Sequence, residues 1–248
     1  MRSKSVRAIV LFAGLILLQT IFFTVGAKHL KLAVGLALPP YFISETSSGM
    51  EFEIIEEALK MKGHSIIPVF LPFSRVTSVM AEGKVDCASP INEDSGVKAF
   101  YSDSHISYQN FAISLAENNL KIETINDLAD KTIVGFQNAT LYLGPEFKAM
   151  AEHNSGYKEK YNQKTQTTDL YKKRVQIIVM DVNIFKYFRK RGAGFSTATQ
   201  PIVYHELFPQ TNYKVAFRDK EIRDDFNEGL KGIRENSVYD QVIKNYTR

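Results

Sequence analysis

LYKKRVQIIVMD, residues Leu170–Asp181, closes a short helical segment in a basic turn, passes into an apolar run and stops on a carboxylate. MAEGKVDCASP, Met80–Pro90, has the same shape. A helix that turns into a short apolar, β-branched run predicts a buried strand. The device therefore occurs twice in one chain, and the elements around each copy show why.

Upstream of the first copy, LKLAVGLA (Leu30–Ala37) predicts a buried strand, and PPYF ends it. Met50–Met61 carries apolar residues at helical spacing and predicts an amphipathic helix ended by Lys62-Gly63. SIIPVFLP predicts a strand whose Pro68 marks an edge or a bulge. Ser74–Glu82 predicts a helix with Ser74 as N-cap, stopped by Gly83. VDCASP is the next strand. The order β-α-β-α-β implies a parallel sheet covered by helices. SYQNFAISLA (Ser107–Ala116) is then one longer extended segment.

The second copy sits in a similar unit. KTIVGF predicts a strand and ATLYLGPEFKAMAEH mostly helix. Asn154–Thr168 is polar and poorly periodic, which predicts a loop or an exposed helical turn. Thr168–Lys173 is a short helix, VQIIVMD a strand, and Val182–Arg191 a helix ended by Gly192. IVYHEL and NYKVAF are two more extended runs. The tail from Asp219 to Tyr246 predicts two helices joined near Ser237.

Each unit needs its own apolar sheet, so the repeated device predicts two α/β lobes joined by extended segments, with a cleft between them. Ligands of open parallel sheets sit beyond the carboxyl ends of the strands. Pro90 and Asp181 lie at two such ends. Asp181 fits two roles: N-cap of the helix that follows it, or partner of a ligand cation at the cleft.

The chain has 248 residues, with 31 Lys+Arg against 27 Asp+Glu. MRSKSVR, a nearly unbroken apolar run from Ala8 to Val25, and the small residues of Val25-Gly26-Ala27 follow the order of a secretory signal peptide. The run is also long enough for a retained anchor. Without residues 1–27 the chain holds 28 bases and 27 acids. That near-neutral balance gives no reason to expect nucleic acid. Cys87 is the single cysteine and sits in an apolar run. It reads as a small buried residue, not a nucleophile, and disulfides are excluded. No cysteine near the cut is available for lipid attachment. Export without disulfides predicts a core-stabilised protein in the periplasm of a two-membrane bacterium.

VGLALPPYF, SGMEFEIIEEAL, LPFSRVTSVMAEGKVDCASPI, FYSDSHISYQNFAISL, NDLADKTIVGFQNAT, LYKKRVQIIVMD and the closing helix pair stand in an order that resembles the type II periplasmic solute-binding proteins of family 3, those of the polar amino-acid importers. The likeness runs over essentially the whole mature chain. It implies an α/β, two-lobed fold with two hinge strands near Ile113–Ala116 and Tyr213–Phe217. Lobe 1 would be residues 28–114 with 216–248, and lobe 2 residues 115–215.

Carried over residue by residue, the resemblance implies apolar walls from Leu38–Phe42, with Tyr41 and Phe42, and from Phe73. It implies that Asp181 holds a ligand amino group through a charge-assisted hydrogen bond, near the strand end at Pro90. It further implies that the loop Asn138-Ala139-Thr140 offers backbone N–H groups to a ligand carboxylate. The family's carboxylate-gripping arginine falls on Ser95 here, beside Glu93 and Asp94. Arg75, in PFSR, has two readings: the replacement cation, or a solvated residue on a first helical turn. The missing fork turns the expected ligand towards an amine, a peptide-like molecule or a modified amino acid.

No histidine spacing resembles a metal site, and no nucleotide or nucleophile-elbow motif is present. The expectation is a monomeric binding protein without metal or cofactor and not an enzyme. Its partners would be a small solute and an inner-membrane ABC permease or sensor. An interaction protein for a membrane partner is the alternative, and a periplasmic enzyme on the same fold the third reading. The bases from Lys172 to Arg174 and Lys186 to Arg191 are either a solvated face or a docking patch for such a membrane protein.

Overall fold

The computed structural model describes residues 26–191 and 199–247. The expected signal segment, apart from its last residues, and the glycine stop at Gly192 lie outside them. Among the described residues, no helix is long and apolar enough to cross a membrane.

Two large sheets form, one per unit, beside a two-stranded one of Ala37–Leu38 and Phe42–Ile43. In the first, Ser65–Leu71, His29–Gly35 and Cys87–Ile91 run parallel, and Thr211–Phe217 closes on them antiparallel, followed by Phe100–Tyr101. Ser65–Leu71 is the edge strand, where the missing N–H of Pro68 costs no ladder bond. In the second, Tyr157–Lys160, Ile133–Phe136 and Ile177–Asp181 run parallel, and Asn110–Leu115 and Ile202–His205 follow antiparallel. The sheets thus share a plan of three parallel strands with antiparallel strands at one side.

The helices cover these sheets. Met50–Lys60 buries Phe52, Ile54, Ile55, Ala58 and Leu59 and packs on Lys220–Glu235. That crossing is close: a Cβ at Gly229 would stand 1.9 Å from the carbonyl oxygen of Ala58, so glycine alone fits there. The helix predicted from Ser74 starts one residue earlier, at Phe73, and has no side-chain cap. Pro72, whose ring fixes its φ, sets the entry instead. The tail helices, Lys220–Glu235 and Val238–Thr247, are joined at Ser237, which takes a left-handed turn.

Three differences from the expectation matter for the cleft. The segment Asn154–Thr168 contains the strand Tyr157–Lys160 and the start of the helix Gln163–Tyr171. The expected helix after KTIVGF is broken into Ala139–Tyr142 and Pro145–His153 at Gly144, whose φ of 91° suits glycine. The extended run Ser107–Ala116 is two strands, Ile106–Tyr108 in the first sheet and Asn110–Leu115 in the second. The chain therefore crosses between sheets at Gln109, and returns between His205 and Thr211. Ile113–Leu115 and Tyr213–Phe217 are paired inside sheets, so both crossings fall before the expected hinges.

Cys87 is fully buried, and burial pushes its thiol far above the ordinary range, which leaves it inert.

Candidate functional site

All six parallel strands send their carboxyl ends to one place. Leu36 and Leu38 follow His29–Gly35, Pro72 and Phe73 follow Ser65–Leu71, and Pro90 lies near the end of Cys87–Ile91. From the second lobe come Phe136 and Gln137, Tyr161 and Gln163, and Asp181. They enclose a cavity of about 340 Å³, completed by Tyr108, Asn110, Tyr142, Ile184 and Tyr213. The volume suits a small molecule. Phe73 and Tyr142 face each other from opposite lobes, ring centres 5.8 Å apart.

Asp181 is 2% exposed and lines this cavity. Its Oδ1 accepts from the amides of Asn183 (2.8 Å) and Ile184 (3.0 Å), which makes it the N-cap of Val182–Lys190. The same oxygen accepts from the Tyr41 hydroxyl at 2.9 Å, and Oδ2 accepts from the Gln109 amide at 2.9 Å. The N-cap reading of Asp181 holds, and the helix amides use only Oδ1, which leaves Oδ2 with one donor. Burial pushes its carboxyl up to about 6, against the pull of these hydrogen bonds. Among the described residues, Asp181 is the only charged side chain in the lining.

Tyr41 is fully buried behind the wall. It bonds Asp181 across the lobes, accepts from Asn183 Nδ2 at 3.1 Å and stacks on Tyr108 at 3.8 Å. Tyr108 in turn donates to Glu51 at 2.7 Å. Glu51 is fully buried and also meets Ser89 Oγ and His105 Nε2. Burial, and then the neighbouring carboxylates, raise both tyrosines well above their usual range. They are therefore fixed hydrogen-bond donors.

Of the residues singled out in the sequence, Leu38, Phe73, Pro90 and Asp181 line the cavity. Tyr41 supports it from behind, and Phe42 lies in the core. Arg75 is exposed, its Nε 3.3 Å from Ser78 Oγ, and does not line the cavity. Ser95 is also outside, its Oγ 2.9 Å from the Tyr101 hydroxyl. The loop Asn138-Ala139-Thr140 is close by but turned to another partner. The amides of Asn138 and Thr140 donate to the Glu159 carboxylate at 2.7 and 3.1 Å. The Thr140 and Tyr157 hydroxyls complete its set of four donors.

The sequence reading missed Leu36, Pro72, Tyr108, Asn110, Phe136, Gln137, Tyr142, Tyr161, Gln163, Ile184 and Tyr213. Applying the strand-end rule at every predicted strand would have found Phe136 and Gln137. Tyr161 and Gln163 were hidden because the strand before them, YKEK, alternates with charges and has no apolar run. Among the described residues, no group of three His, Cys, Asp or Glu side chains is placed to hold a metal ion.

The fold is that of the type II periplasmic binding proteins: two α/β lobes around a ligand-sized cleft. No family model matches the chain. A probable histidine-binding protein of Campylobacter jejuni is 26% identical over 229 residues, spanning 88% of this chain and 85% of that protein. Among solved structures, a histidine kinase sensor domain with similarity to periplasmic binding proteins aligns at a TM-score of 0.73 and 15% identity, over 89% of this chain and 96% of that one. The substrate-binding protein of an amino acid ABC transporter aligns at 0.67 and 18% identity, over 88% and 98%.

Proposed function

We propose that this protein is a periplasmic solute-binding protein, exported by its N-terminal segment, that captures a small amine-bearing solute between its lobes. The carrying observation is the cavity itself: six parallel strand ends converge on it, aromatic rings wall it, and Asp181 is its one charge among the described residues. The solute's positive charge meets the Asp181 carboxylate, and the rings exclude water from the pair. Phe73 and Pro90 act as walls, and Tyr41 holds Asp181 in place. Nothing in this reading makes or breaks a bond, and it fits relatives whose names describe binding. The loaded form would be handed to an ABC permease of the inner membrane, as the likeness to a transporter component supports.

A second reading has one specific observation behind it. The likeness to a sensor domain of a histidine kinase supports a membrane sensor as the partner in place of a permease.

The test is thermal unfolding of the purified protein against amino acids, amines, short peptides and organic acids. A ligand of the native state at 100 times its dissociation constant stabilises by about 2.7 kcal/mol. We expect a shift of several degrees that Asp181→Ala abolishes. A panel without any shift would overturn solute capture.

A further inference from the structure

The cavity tells more about its solute than that it carries an amine. A zwitterionic amino acid needs two seats, one for the ammonium and one for the carboxylate. Among the described residues, no Lys, Arg or His lines the cavity. The loop amides of Asn138 and Thr140, which would otherwise be free for an anion, are taken by the protein's own Glu159. Arg75 and Ser95 are bonded elsewhere. A ligand carboxylate would therefore enter a largely apolar space that already holds the Asp181 carboxylate. Burying a second anion there without a cationic partner is strongly unfavourable.

The ammonium is provided for twice. Asp181 Oδ2 has one donor, and a carboxylate oxygen can accept a second. Gln163, 7% exposed and part of the same lining, has its Oε1 buried without a hydrogen-bond partner. A buried acceptor left without a donor is costly, and a ligand N–H supplies one. Asp181 balances a single positive charge. The rest of the wall is ring and aliphatic surface, including Phe73, Phe136, Tyr142 and Tyr213. Aromatic faces attract a cation and pack against an apolar body.

Resting on the solute-capture reading, we infer that the ligand is a monoamine with an apolar or aromatic body, bearing N–H donors for Asp181 and Gln163 and no carboxylate. Glu159, by occupying the loop amides, is the residue that removes amino acids from the repertoire.

Matched pairs test this by calorimetry on the purified protein: phenethylamine against phenylalanine, tyramine against tyrosine, isoamylamine against leucine, histamine against histidine. The expected result is that the tightest ligand is a monoamine, bound at least tenfold tighter than its amino acid. An amino acid as tightest ligand, or a ratio under tenfold, overturns the inference and leaves solute capture standing. Silence from every pair overturns it too, and the broader panel then judges solute capture separately. Gln163→Leu gives a second readout. Amine affinity should fall at least threefold while the melting temperature without ligand stays level or rises, since an unpartnered buried acceptor is gone. Unchanged affinity, or a fall in the ligand-free melting temperature, would remove Gln163 from the site and overturn its assigned role.

Discussion

The two walls of the cleft are built on the same strand plan and are chemically unlike. The first lobe contributes Leu36, Leu38, Pro72, Phe73, Pro90, Tyr108 and Tyr213, whose only side-chain polar atoms are two tyrosine hydroxyls. One of those is already held by Glu51. The second lobe contributes Asn110, Gln137, Gln163 and Asp181, beside its own aromatics. The comparison is sharpest at the two stretches where the helix–turn–strand device recurs. Cys87–Ile91 ends at the cleft in Pro90 and Ile91, while Ile177–Asp181 ends in a carboxylate. The frame recurs because both lobes must bury a sheet. The chemistry differs because it rests on single residues at strand ends, which burial does not dictate. One wall is mostly apolar surface, and the other carries a carboxylate and side-chain amides.

The largest way to break this division is at Asp181. Truncating one partner of a buried charge pair costs about 2–5 kcal/mol, so Asp181→Ala should weaken binding of an amine ligand by roughly thirtyfold or more. Calorimetry near pH 8 measures it. Affinity retained within a few-fold would place the charge recognition outside the second lobe. The wild-type site should also lose affinity as pH falls. Protonation of Asp181 near pH 6 removes the counter-charge, so binding of a primary amine that stays protonated over this range should weaken about tenfold per pH unit below that point. Asp181→Asn should flatten this dependence.

Folding responds to the same group in the opposite sense. Asp181 is raised from 3.8 to about 6 in the folded protein, so the fold favours its neutral form. Its contribution to stability is fully present below pH 4 and lost as pH rises through 6. A rise of that size corresponds to about 3 kcal/mol. Urea midpoints of the wild type and Asp181→Asn, measured at pH 4 and pH 7.5, isolate the effect from the other carboxylates. The difference should move against the wild type as pH rises. A constant difference would mean that Asp181 is solvated, and that the cavity is wetter than its walls imply.

This unevenness also explains what could be read from the sequence. The strands His29–Gly35, Cys87–Ile91 and Ile177–Asp181 are built mainly of buried apolar residues, and their pattern states the fold. Asp181 was legible because a carboxylate closing an apolar run is conspicuous. The hinge positions were not legible. Ser107–Ala116 is one extended stretch whose two halves join different sheets, and pairing partners leave no periodic mark. The helix Gln163–Tyr171 was placed too late because it buries Gln163, Gln166, Thr167 and Asp169, so its inner face reads as polar. The engagement of Asn138 and Thr140 by Glu159 links positions about twenty residues apart through backbone amides, which carry no side-chain signal.

A smaller effect is expected on the apolar wall. Phe73→Ala removes the ring that faces Tyr142 across the lobes. A cation over an aromatic face contributes about 0.5–2 kcal/mol, so amine affinity should fall by roughly two- to thirtyfold, with its pH dependence unchanged. A change in the pH profile instead would show that the ring acts on Asp181 and not on the ligand. That result would merge the two walls into one electrostatic unit.

The smallest effect is expected at the positions that the resemblance put forward for a carboxylate. Arg75 is exposed and bonded within its own helical turn, and Ser95 is bonded to Tyr101 on the surface. Substitutions at such places usually stay within about 0.5 kcal/mol, so Arg75→Ala and Ser95→Ala should each change amine affinity less than about threefold. Arg75 is the more demanding test. Its helix begins at Phe73, which lines the cavity, and Arg75 stands two residues further on. A tenfold loss on Arg75→Ala, seen with an amino acid and not with its amine, would show that the first lobe contributes a charge after all. The contrast between the walls would then hold only until the lobes meet a carboxylate, and closing on one would erase it.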